Sequence, residues 1–239
     1  MTPKLVIFDC DGVLVDTEPT TNQVVADDLA QRGLTIGADK VGSLFIGGTM
    51  QSAGQTARDL GADVPDDWLD IIYPKMFEAL AKGVNVFPEV AVFLKALTKQ
   101  GIAVAVASNG PLKKMEITLA PSGLDQYFKG RIYSGHDYTP KPDPHTIHHA
   151  MQVAGVTAAE TIFIDDSANG AKAGIAAGVR TFGFDPDRTY RHLGDLDVER
   201  VGSMRQIAGI IGVTMPEPEV VCRRPGSARV VGRMKLTSW

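Results

Sequence analysis

Leu5-Val6-Ile7-Phe8-Asp9-Cys10-Asp11-Gly12 is a run of four apolar residues that stops abruptly at two acids and a glycine. A continuous apolar run of this length is the pattern of a strand buried on both faces, as in a parallel sheet. Comparable runs recur at residues 102–107, 132–133, 161–164 and 181–184, separated by polar segments of helix length. The alternation predicts an α/β protein. Helices are expected at 88–99, 112–119, 145–154 and 168–177, the last closing on Gly178.

One connection is out of proportion. Roughly seventy residues separate the first two strands, far more than a crossover needs. Within them, 21–31, 50–60 and 67–81 carry apolar residues at helical spacing, among them Leu69, Ile72, Tyr73, Met76 and Leu80. The glycine-rich 45–48 falls between these helices as a loop, and 83–88 leads back toward the sheet as a hinge. The expected organisation is a core of 1–15 with 88–212, a helical cap of 16–87, and a tail of 213–239 that ends in basic residues.

With 44% hydrophobic and 22% charged residues, the chain reads as an ordinary globular protein rather than a disordered or fibrous one. A formal net charge of -4 supplies no basic footprint, so nucleic acid is not an expected partner. Two cysteines, Cys10 and Cys222, are too few for a disulfide framework. No signal peptide and no apolar stretch of about 18 residues is present, so no membrane partner is expected and a cytoplasmic location is. Nothing demands a dimer, and a monomer is expected.

In a parallel sheet, ligands bind beyond the carboxyl ends of the strands. Those ends carry Asp9 and Asp11, Ser108 and Asn109, then Lys141 in the loop past the third strand, and Asp165 and Asp166. Four carboxylates gathered in one pocket repel one another unless a cation lies among them. An all-oxygen set favours a hard ion, and Mg2+ is the expected cofactor, held by Asp9, Asp11, Asp165 and Asp166. Lys141, Ser108 and Asn109 would hold a phosphate, which makes a small phosphorylated metabolite the expected partner. Asp9 is then placed as nucleophile and Asp11 as the acid that protonates the leaving oxygen and later activates water.

The stretch from Phe8 to Glu18, Ser108-Asn109, Lys141-Pro142-Asp143-Pro144 and Ile164-Asp165-Asp166-Ser167 appear in this order. Together they resemble the four motifs of the haloacid dehalogenase superfamily, in the branch of sugar phosphatases and β-phosphoglucomutase with a cap after the first strand. The resemblance spans about 1–212 and implies a Rossmann-like parallel-sheet core with an inserted α-helical cap domain. It implies Asp9 as nucleophile, Asp11 as acid/base, Asp9, Asp166 and the Asp11 carbonyl on the metal, Asp165 on or behind it, and Ser108 and Lys141 on phosphate. Asp11 points away from dehalogenase and phosphonatase chemistry, whose branches lack an acid there. The run Ser108-Asn109-Gly110-Pro111 with Lys114-Met115 is similar to bacterial 6-phosphogluconate phosphatases.

Each motif has a plainer reading. The acids can cap turns, and Ser108-Asn109 or Asp165-Asp166-Ser167 can cap the following helices. Thr17, Glu18 and Asn22 either touch substrate or start the cap helix. His145, His148 and His149 share a helical face at zinc-binding spacing, but an exposed helix face explains them and no second metal is expected. A phosphosugar mutase and a non-catalytic binder of phosphorylated metabolites are the alternatives. The cap loop 47–52 carries no Arg or Lys, which weakens the mutase reading.

Overall fold

The computed structural model describes residues 2–44, 50–189 and 193–217. Among these, β1 (Leu5–Phe8), β4 (Ala103–Ser108), β5 (Ile132–Ser134), β6 (Thr161–Asp165), β7 (Arg180–Phe184) and β8 (Glu199–Val201) form one parallel sheet. Its order is β5-β4-β1-β6-β7-β8. Leu5 pairs with Ala103 on one side and with Thr161 on the other, so the first strand lies at the centre.

The apolar runs are continuous because both faces are covered. Val6 and Phe8 point into one buried cluster with Val104, Val106, Ile162 and Ile164. Helices α5 (Val90–Lys99), α6 (Leu112–Leu119) and α10 (Met204–Ile211) close that face through Phe93, Leu97, Met115 and Ile207. Leu5 and Ile7 point the other way, with Ala105, Ala107 and Phe163, under α8 (His145–Ala154) and α9 (Ala168–Ala176). Burying a side chain such as Phe8 or Phe93 contributes about 2–3 kcal/mol each.

The long connection holds α1 (Glu18–Gln31), α2 (Ala38–Leu44), α3 (Met50–Asp59) and α4 (Trp68–Ala81) around a buried cluster of their own. Val25, Leu29, Ala57, Trp68, Ile72 and Met76 form it. Beside it Asp28, 2% exposed, accepts from Trp68 Nε1 at 2.7 Å, Arg32 Nε at 2.6 Å and Lys75 Nζ at 2.6 Å. Chain enters and leaves this unit through a two-stranded antiparallel ribbon, β2 (Val15–Asp16) against β3 (Asn85–Val86). The inserted helices therefore have a buried cluster of their own and are joined to the sheet through this one ribbon.

The expected loop at 45–48 lies outside the described residues, as do 218–239 of the expected tail. Past Gly212 the chain stays with the core: Val213 and Met215 are buried in the first cluster. Strand β8 and helices α2, α10 and the short α7 (Asp125–Phe128) were not expected from the sequence. Helix α10 has a legible start, since Ser203 caps it by accepting from the Gln206 N–H.

Candidate active site

The sheet order reverses at β1, where a crevice opens between diverging connections. Asp9 follows β1 directly, Ser108 ends β4, and Asp165 ends β6 with Asp166 after it. The Asp9 N–H donates to the Ile164 carbonyl at 2.8 Å, which ties the end of β1 to β6.

Asp9, Asp165 and Asp166 each present an oxygen within 4.8 Å of the others. Lys141, almost fully buried, donates from Nζ to Asp9 Oδ1 at 2.8 Å, Asp165 Oδ2 at 2.6 Å and the Ala107 carbonyl at 3.2 Å. Burial pushes the Asp9 carboxyl up to about 6; Lys141 opposes this, while Asp165 and Asp11 add to it. Burial, then the charges of Asp165 and Asp9, also raise Asp166 well above the carboxylate range. Burial works against the Lys141 ammonium, yet Asp165 and Asp9 hold its pKa above the ordinary lysine value. Three carboxylates with one ammonium leave excess negative charge, and their all-oxygen donor set fits a hard divalent cation.

Asp165 has little freedom to move. Its Oδ1 accepts from the Ser167 N–H at 2.9 Å and Ser167 Oγ at 2.7 Å, and its Oδ2 is on Lys141. A Cβ on Gly170 would collide with this carboxylate, and one on Gly12, at φ +79°, would collide with that of Asp166. Both glycines are needed for the acids to sit where they do.

The carboxylate of Asp11, the fourth acid expected on the metal, does not join the three whose oxygens lie within 4.8 Å of one another. Its Oδ1 accepts from Thr17 Oγ1 and its Oδ2 from Lys114 Nζ, both at 2.7 Å. Burial disfavours the Lys114 charge, but the charge and hydrogen bond of Asp11 raise its pKa above the ordinary value. Asn109, expected at the phosphate, is bound to the Lys141 backbone. Its Nδ2 donates to the Lys141 carbonyl at 2.9 Å and its Oδ1 accepts from the Lys141 N–H at 2.7 Å, so the amide clamps the lysine backbone. Ser108, 3% exposed, accepts from the Gly110 N–H at 3.3 Å, and Ser134 Oγ donates to the Gly110 carbonyl at 2.8 Å to brace that loop.

Lys114 is the contact the sequence reading passed over. It lies in the first turn of α6, where the helix dipole disfavours a cation, and the Asp11 carboxylate offsets that cost. Beside Asp166 a cavity of about 550 Å³ opens between the cap and the sheet edge, walled in part by Gly12, Asn22, Ala38, Phe87 and Phe184.

The sequence model of haloacid dehalogenase-like hydrolases matches residues 3–178. The chain belongs to this family. Over 190 residues this hydrolase is 28% identical to the 6-phosphogluconate phosphatase of Escherichia coli (strain K12), covering 77% of this chain and 83% of that one. It is 31% identical over 205 residues to the phosphoglycolate phosphatase of Pseudomonas putida (strain KT2440), covering 82% and 74%. A solved HAD family hydrolase from Deinococcus radiodurans R1, with bound phosphate and sodium, superposes with a TM-score of 0.76 at 27% identity, covering 90% of this chain and 99% of that one. Family and relatives together make the chain a phosphatase. Among the described residues no helix is long and apolar enough to cross a membrane.

Proposed function

We propose that this hydrolase removes the phosphate from a small phosphorylated sugar or sugar acid, with Asp9 as the group that is transiently phosphorylated. The carrying observation is the position of Asp9: it adjoins Asp165 and Asp166 and is bound by Lys141, at the carboxyl edge of the central strand. Asp9 and Asp166, with the Asp11 carbonyl, would hold Mg2+, while Asp165 fixes Lys141. When bound, the ion offsets the repulsion between these acids and an incoming phosphate dianion.

An Asp9 oxygen attacks phosphorus as the bond to the leaving oxygen breaks, and Asp11 gives that oxygen its proton. Water then attacks the aspartyl phosphate, losing its proton to the Asp11 carboxylate; the bond to Asp9 breaks and inorganic phosphate leaves. Lys114 and Thr17 hold Asp11 in place for both proton transfers. Ser108 and Lys141 are the phosphate contacts this reading retains, and Asn109 contributes by fixing Lys141. The Deinococcus relative with bound phosphate supports the anion site.

The test is Mg2+-dependent hydrolysis of p-nitrophenyl phosphate by the wild type and by Asp9→Asn. Loss of turnover in the variant, and acid-quenched aspartyl phosphate in the wild type alone, are expected. Undiminished turnover by Asp9→Asn sinks the reading.

A further inference from the structure

Lys141 reaches the acids from the loop 135–144, which joins β5 to α8 and contains neither helix nor strand. Loops are ordinarily more mobile than the elements they connect, so an ammonium shared among Asp9, Asp165 and the Ala107 carbonyl needs its backbone tied. The Asn109 amide ties it at Lys141 itself. Upstream of that clamp the tie is made by a tyrosine and a histidine.

Tyr138 folds back onto α8, where its hydroxyl and His149 Nε2 share a hydrogen bond at 3.0 Å. Their rings are tilted at 33° with centroids 4.6 Å apart, and the buried Tyr133 of β5 meets the half-buried His149 edge-on at 5.0 Å. The cluster against which Tyr138 packs also contains Ala107, whose carbonyl accepts from Lys141 Nζ, and Phe163, whose ring centroid lies 5.5 Å from it. One residue on, the Thr139 N–H donates to His145 Nδ1 at 3.3 Å, and the His145 N–H donates to Asp143 Oδ1 at 2.9 Å. Residues on either side of Lys141 are thereby fastened to the start of α8. His145 and His149, which the sequence places on one helical face, are both used to hold this loop.

We propose that Tyr138 and His149 are positioning residues of the phosphatase reaction: their hydrogen bond sets the place of the loop from which Lys141 reaches Asp9 and the transferred phosphate. This rests on the phosphatase reading above and goes beyond it, because both residues act only through Lys141. A misplacement of about 1 Å in a group aimed at the reacting centre can cost about hundredfold in rate. Losing one of several loop ties shifts the ammonium by less, so a loss of about fivefold to tenfold is expected.

The experiment measures kcat and KM for Mg2+-dependent hydrolysis of p-nitrophenyl phosphate, with thermal midpoints taken alongside. Tyr138→Phe and His149→Phe keep an aromatic ring and remove the hydrogen bond, and each is expected to lower kcat/KM by about fivefold to tenfold. The double variant should lose no more than either alone, since one bond is removed in all three. His149→Gln, which keeps an acceptor for the tyrosine hydroxyl, should return to within about twofold of the wild type. In a Lys141→Met background Tyr138→Phe should change little, because the group it positions is gone. Wild-type kcat/KM in both Phe variants, even with lowered thermal midpoints, overturns the proposal, as does a Tyr138→Phe loss that persists in full without Lys141. If the wild type hydrolyses the ester while either of these results is found, only the positioning role falls. If the wild type hydrolyses no ester at all, both readings fall.

Discussion

Lys114 Nζ donates to Asp11 Oδ2 at 2.7 Å, joining the first turn of α6 to the loop after the central strand. With Thr17 on the other oxygen, the carboxylate has one orientation. Proton transfer depends on that orientation, so Lys114→Met is expected to lower kcat by about tenfold to hundredfold. The change should fall more on esters with poor leaving groups than on p-nitrophenyl phosphate, whose leaving oxygen needs little protonation. Equal losses on both classes would count against this role.

Lys141 neutralises part of a buried acidic group, and removing it leaves Asp9 and Asp165 without their cation. Lys141→Met is expected to abolish most turnover, by at least about hundredfold, and to destabilise the metal-free protein by about 3 kcal/mol. Urea unfolding with and without Mg2+ checks this. The deficit should shrink when the ion is added.

Asp28 provides a stability prediction away from the chemistry. Burial would raise its pKa, but hydrogen bonds from Arg32, Lys75 and Trp68 hold it below the ordinary carboxylate value. A depressed folded value means the stabilisation is complete above the unfolded pKa of about 4 and is lost as pH falls through the folded one. Asp28→Asn should therefore cost about 2 kcal/mol near pH 7, discounted for the exposure of Lys75, and the gap from wild type should close as pH falls below the unfolded value of about 4. A gap independent of pH would contradict the ion-pair account.

Gly12 combines a left-handed φ of +79° with close approach to the Asp166 carboxylate. Gly12→Ala is expected to cost about 1 kcal/mol in backbone strain and to displace that acid. Titrating Mg2+ in the p-nitrophenyl phosphate assay should show half-saturation at about tenfold higher concentration. Gly33→Ala, also at positive φ but with nothing near its Cβ, is the comparison that isolates the displacement from strain.

Strands β1, β4, β6 and β7 were readable because burial on both faces makes each a short apolar run. Strand β8 lacks that signature: Glu199 and Arg200 are exposed at the sheet edge, and only Val201 is buried. The β2–β3 ribbon has two residues per strand, too few for any period to register. At the site, Asp9, Asp165 and Asp166 were readable since strand ends announce them, and Lys141 since it lies in the loop past β5. The turn of Asp11 away from the other acids, and the use of both Asn109 amide atoms on Lys141, arise from tertiary placement. No spacing in the sequence encodes them, and of the two lysines in the first turn of α6 only Lys114 reaches Asp11.

The pairing of Val15 with Val86 and Asp16 with Asn85 brings the two ends of the inserted helices side by side. A segment whose ends nearly touch can be lengthened, shortened or exchanged for another while the six-stranded sheet and its acids keep their places. Selection can therefore rewrite one contiguous stretch of the gene while the strands that carry Asp9, Asp165 and Asp166 keep their register.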